Sequence, residues 1–161
     1  MDEWFEVDGL DVERLLIEWR WLYARKVALV ARSVFGDLFL RDETGAIVWL
    51  DSAIGRLKTI AESESHFREL AKLPENQQEW FGETDAEPAA VQGVRPGKLE
   101  CIAFKTPLVF SQSRDVPNNA YIGNVYKHVS FLGSLNRQIA ELPDGAQVRL
   151  VIDKEPIPPA S

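Results

Sequence analysis

Gly36-Asp37-Leu38-Phe39-Leu40-Arg41-Asp42, then Glu43-Thr44-Gly45, then Ala46-Ile47-Val48-Trp49-Leu50-Asp51 decides the fold. Two apolar runs rich in β-formers flank a short polar link, and Gly45 supplies the positive φ that a tight reversal needs. The stretch predicts a β-hairpin. In the simplest register Asp37 and Asp51 flank its open end. A third short strand is expected over residues 56–61.

Working outward toward the N-terminus, residues 27–34 are apolar and fit either a strand or a helix. Before them, Leu15, Leu16, Trp19, Leu22 and Tyr23 recur at helical spacing, and Asp11 stands where a cap would. A helix over residues 11–26 follows. Residues 1–10 read as a loosely attached acidic segment.

Toward the C-terminus, Ser63 or Ser65 can cap a helix carrying Phe67, Leu70 and Ala71. Pro74 restarts a helix at its first turn, ending near Trp80 and Phe81. Residues 82–98 read as a loop, 99–110 as a strand limited by Pro107, and 111–119 as a polar turn. Val125, Val129, Leu132, Leu135, Ile139 and Leu142 then mark one face of a long helix. Gly133 inside it costs about 1 kcal/mol against Ala, so a close contact is expected there. Pro143-Asp144-Gly145 turns the chain into a last strand over 147–153. The fold class is α+β: a mixed or mostly antiparallel sheet with about three helices packed on it. Residues 11–153 form one domain, and 154–161 form a Pro-rich tail.

With 45% apolar residues and 161 in all, the chain can build a core without staples. Five tryptophans anchor that core or an interface. Cys101 is the sole cysteine, so no internal disulfide forms. Its apolar surroundings favour an inert thiol over a nucleophile. The acidic N-terminus has no signal-peptide pattern and no apolar run spans a bilayer, so a cytoplasmic, membrane-free protein is expected.

A net charge of −7 and a pI near 4.9 disfavour direct nucleic-acid binding, which relies on Lys and Arg at phosphates. The charge is uneven. Residues 1–20 carry a net of −5 and residues 61–90 a net of −6. If the two stretches adjoin, they form one electronegative face suited to a basic protein. Asp2, Glu3, Glu6, Asp8, Glu83, Asp85 and Glu87 are the partner-binding candidates. If the stretches lie apart, they are solvated surfaces.

Catalytic equipment is sparse. His66 and His128 have no second His or Cys at i±3 or i±4, so no metal site is expected. There is no Gly-rich phosphate loop and no nucleophile elbow, so no cofactor is implied. Two alternatives to protein binding stay open. A small-molecule sensor would use an aromatic pocket with Trp49 and Trp80 as walls. A hydrolase would need Asp37, Asp51 or His128 to converge. Otherwise these are strand ends, turn caps and a structural histidine.

Three ordered stretches carry a resemblance. They are Phe35-Gly36-Asp37-Leu38-Phe39-Leu40-Arg41-Asp42 with Gly45 and Val48-Trp49-Leu50-Asp51; Phe67-Arg68-Glu69-Leu70 running to Glu79-Trp80-Phe81; and His128-Val129-Ser130-Phe131-Leu132-Gly133 with Leu142-Pro143-Asp144-Gly145. Together they resemble a former unknown-function domain family that corresponds to the C-terminal domain of type VI secretion DNase-immunity proteins. The resemblance covers roughly residues 19–152. It implies a non-enzymatic, cytoplasmic immunity-type protein, a monomer or weak homodimer. Such a protein neutralises a basic nuclease toxin, encoded adjacently, by binding it.

Overall fold

A computed structural model describes residues 2–82, 96–107 and 119–143. The predicted hairpin is β2 (Leu38–Arg41) and β3 (Ile47–Asp51), paired so that Leu38 faces Leu50 and Phe39 faces Trp49. Gly45 closes the link at φ 90°, and its amide donates to the Asp42 carbonyl at 3.1 Å. The ambiguous stretch before the hairpin is a strand, β1 (Ala28–Arg32), and the expected third strand is β4 (Arg56–Ala61). All four run antiparallel in the order β1-β2-β3-β4.

Both faces of this sheet are covered, which explains why the hairpin strands are apolar at successive positions. Leu38, Leu40 and Leu50 point to one face, where they meet Leu15, Leu16 and Trp19 from α1 (Val12–Leu16) and its extension. Val125, Val129 and Leu132 of the long C-terminal helix, α4 (Val125–Ala140), complete that core. Phe39, Ile47 and Trp49 point to the other face. There they meet Phe67 of α2 (Glu64–Leu70) and Trp80 and Phe81, which follow α3 (Pro74–Asn76) in a π-helical turn. The sheet is therefore the middle layer of an α+β fold.

A second, two-stranded antiparallel sheet, β5 (Glu100–Phe104) with β6 (Ala120–Asn124), docks beside the first. The Ile102 amide donates to the Val34 carbonyl at 2.7 Å, which ties β5 to the β1–β2 turn. β5 covers only Glu100–Phe104 of the strand expected over 99–110, and residues 108–110 lie outside the described residues. Strand β6 was not anticipated. The expected strand over 147–153 and the tail lie outside the described residues.

Several capping expectations hold. Asp11 accepts from the Glu13 and Arg14 amides, and Ser63 from the His66 amide. Pro74 sits in the first turn of α3. Asp11→Ala should cost about 1 kcal/mol in a denaturant melt, since it frees two first-turn donors; an unchanged midpoint would deny the cap its role.

The first helix is shorter than its periodicity suggests. It ends at Leu16 and tightens into a 3-10 turn over Ile17–Trp19. The cause is tertiary. Trp19 Nε1 donates to the Val129 carbonyl at 2.8 Å, and the Glu18 backbone lies directly against Gly133 of α4. Residues 2–10 are better anchored than expected. Trp4 is buried and stacks on Phe81 with ring centroids 3.9 Å apart, while Phe5 meets Phe67 edge-on. Among the described residues no helix is long and apolar enough to cross a membrane.

Candidate functional site

A cleft of about 260 Å³ opens where the hairpin ends. The pairing of Leu38 with Leu50 places Asp37 and Asp51 at the same end of the sheet. Five further segments enclose the space: the β1–β2 turn, the β3–β4 turn, the π-helical turn, the end of β5 and α4. Trp49, Trp80, Phe35, Phe104 and Phe131 supply aromatic walls, and Asp37, Asp51 and Glu79 supply carboxyls.

Each wall has a local cause. The β1–β2 turn is held by Ser33, whose Oγ accepts from the Phe35 and Asp37 amides and whose amide donates to the Asp37 carbonyl. Gly36 takes φ 92° there, and a Cβ would come within 3.2 Å of Val129. The turn thus fits close against α4, beside His128. Trp80 is presented by the π-helical turn, which Gly82 ends in the left-handed conformation at φ 59°.

Asp37 is the floor. Its Oδ1 accepts from the Ser52 amide at 3.0 Å and from Ser52 Oγ at 2.8 Å; its Oδ2 accepts from Trp49 Nε1 at 3.1 Å. These bonds lock the β2 entrance to the β3 exit and fix the Trp49 ring. Burial and then the charge of Asp51 push Asp37 up to about 7, although the Ser52 and Trp49 donors pull the other way. Asp51 is also raised, mainly by burial, with Arg56 opposing. His128 is pushed down to about 4 by burial, against the opposing effect of a hydrogen bond to the Phe35 backbone, and is neutral at pH 7.

The sequence candidates fall into three groups. Trp49 and Trp80 line one cleft, as the pocket reading expected, and Asp37, Asp51 and His128 converge on it too. Asp37 already binds the chain's own donors through both oxygens, which makes it a rigid acidic floor. Asp2 and Glu3 begin the N-terminal turn, and Asp8 follows in the same segment. Glu6 lines a second cavity of about 230 Å³ with Trp4, Arg32 and Lys98. Glu83, Asp85 and Glu87 lie outside the described residues.

Sequence reasoning missed Ser33 and Ser52, the residues that hold Asp37, and the walls Phe35, Phe104 and Phe131. A signal for Ser52 was present: it directly follows Asp51, which the hairpin register brings opposite Asp37. Cys101 is buried, with its thiol pushed up to about 12 mainly by burial, as an inert core cysteine should be. Among the described residues no group of His, Cys, Asp and Glu could hold a metal ion.

Chemically, the cleft offers aromatic faces and negative charge around one acidic proton near neutrality. That combination suits retention of a cation. The chain matches no family model and no curated protein. The resemblance to the immunity-protein domain therefore rests on the ordered motifs alone.

Proposed function

We propose that this chain is a non-enzymatic, immunity-type binding protein that neutralises a toxin, a basic nuclease effector, through a protein–protein complex in the cytoplasm. The observation that carries the reading is the docking of the N-terminal segment onto the layer that carries Glu64, Glu69, Glu75 and Glu79. Trp4 on Phe81 and Phe5 against Phe67 bring the N-terminal segment onto the α2–α3 layer. The start of the first acidic stretch thereby adjoins the described part of the second, and Phe81, buried under Trp4, also lines the cleft. A field of this kind steers a basic partner and opposes phosphate-bearing competitors. The order of the three resembling motifs points the same way.

Co-expression tests it. The product of the adjacent gene, toxic by itself, should lose toxicity and co-purify with this chain in a stoichiometric complex. Persisting toxicity with no complex sinks the reading. The on-rate should also fall steeply as salt is raised from 50 to 500 mM, concentrations that roughly shorten the screening length from about 14 to 4 Å.

A second reading is favoured by one specific observation, the convergence of Trp49 and Trp80 on a single concave space. A small-molecule sensor would use these rings as its walls. It predicts that a metabolite screen raises the melting temperature and changes Trp fluorescence; a flat screen removes it.

A further inference from the structure

We propose that the cleft at the open end of the hairpin receives an arginine side chain of the protein partner, its guanidinium lying against the Trp80 and Phe131 rings and facing Asp51 and Glu79. The proposal rests on the binding-protein reading and names the contact through which it acts.

Three observations carry it. The first is charge. Three carboxyl residues line the cleft, and among the described residues lining it none is Lys or Arg. The chain's own cations stand outside: Arg56 reaches Asp51 only at 3.9 Å and Lys58 reaches Glu79 only at 4.0 Å. Both cations are more than half exposed, at 53% and 55%, so these loose pairs neutralise little.

The second is shape. The walls are flat aromatic faces, and Phe131 stays 40% exposed on α4 although it borders a concave space. At the lip of an acidic cleft this half-exposed ring offers a face on which a cation can stack. A planar, weakly hydrated guanidinium satisfies ring and carboxylate together, which a compact ammonium does less well.

The third is an internal precedent. The Arg56 guanidinium lies 5.6 Å from the Trp49 ring centre while it leans toward Asp51. The fold thus already pairs an aromatic face and a carboxylate with a guanidinium at the mouth of the cleft. Arg56 would compete with an incoming arginine for Asp51. The charge of Asp51 also presses on buried Asp37, and an entering cation relieves that repulsion.

The test uses the full chain with N-acetyl-arginine methylamide as probe and N-acetyl-citrulline methylamide as its neutral isostere, followed by Trp fluorescence and NMR shifts. The arginine probe should saturate, and citrulline should bind about tenfold more weakly because it lacks the charge-assisted bonds. Asp51→Asn and Glu79→Gln should each weaken the arginine probe by about threefold or more. Arg56→Gln should strengthen it by about twofold or more, since it removes the internal competitor. Circular dichroism confirms that each variant is folded.

Equal binding of arginine and citrulline, absence of saturation, or indifference to both Asp51→Asn and Arg56→Gln would overturn the proposal. The adjacent gene product separates this outcome from the fate of the broader reading. Capture of that protein with equal affinity by wild type and Asp51→Asn overturns the arginine slot and leaves the immunity reading standing. Arginine binding with these responses but without any capture upholds the slot and removes the immunity reading.

Discussion

Gly133→Ala should lower the stability of this protein by about 3 kcal/mol, the cost of overpacking a tight interior contact. On an exposed helix the same change would gain about 1 kcal/mol, because alanine is the better helix former. The sign is reversed here by a backbone contact. A Cβ on Gly133 would sit 2.7 Å from the Glu18 carbonyl oxygen and 2.9 Å from its carbonyl carbon. Neither atom belongs to a side chain that can swing away. The chain just after Glu18 is pinned to α4, by Trp19 Nε1 donating to the Val129 carbonyl at 2.8 Å and Trp21 Nε1 donating to the Gly133 carbonyl at 3.2 Å. To admit the methyl group α4 must slide, and with it move His128, Phe131 and Leu132, which line the cleft. A thermal melt should therefore show a loss of about 10 °C for a chain of this size. The arginine probe should also bind more weakly. A variant as stable as wild type would show that the Glu18 backbone yields to the methyl group at little cost.

The hairpin was legible because local signals agreed: two β-forming runs, a short polar link and a glycine at the reversal. The same agreement made the α4 stripe readable, and the helical Gly133 gave away a close approach before any partner was known. What was not legible depended on contacts between distant residues. Residues 27–34 showed no preference by pattern, since a strand covered on both faces loses its alternation. β6 hid in Ala120-Tyr121-Ile122-Gly123-Asn124, a short run with a glycine, which is a strand only because β5 pairs with it. The premature end of α1 was likewise imposed by Gly133. The cleft shows both regimes. Trp49, Asp37 and Asp51 were readable as neighbours through the hairpin register. Trp80, His128 and Phe131 reach the same space through tertiary packing, which spacing along the chain cannot encode. The acidic stretches are similar: composition showed that they exist, and only tertiary contacts such as Trp4 on Phe81 and Phe5 against Phe67 dock residues 4 and 5 onto the layer that carries part of the second.

His128→Gln should make stability fall more steeply with rising pH than in wild type, because two buried groups in this cleft now oppose each other. Asp37 rises from its usual 3.8 to about 7 in the fold. Between those values the folded chain holds a proton that the unfolded chain has lost. Its contribution to stability is therefore complete below about 4 and disappears as pH climbs through 7. His128 moves oppositely, from 6.5 to about 4. Between those values the unfolded chain holds the extra proton, so this contribution is present above 6.5 and disappears as pH falls through 4. Across about pH 4 to 6.5 the slopes have opposite signs and similar size. Glutamine at position 128 removes one of them and leaves Asp37, reinforced by the raised Asp51. Acidifying the variant from pH 7 to 5 should then stabilise it, relative to wild type over the same range, by on the order of 2 kcal/mol. One proton's difference between folded and unfolded chains is worth about 1.4 kcal/mol for each pH step of one, and His128 differs by a proton over most of that range. Urea melts at half-unit pH steps on both proteins measure the difference directly, and the comparison cancels the titration of surface carboxylates common to both. Parallel profiles would mean that His128 stays accessible to protons in the fold, and the cleft would then be wetter than its packing implies. A diverging pair would show that His128 is held neutral in the fold, and a fall in the variant's own stability between pH 5 and 7 would show that Asp37 keeps its proton there.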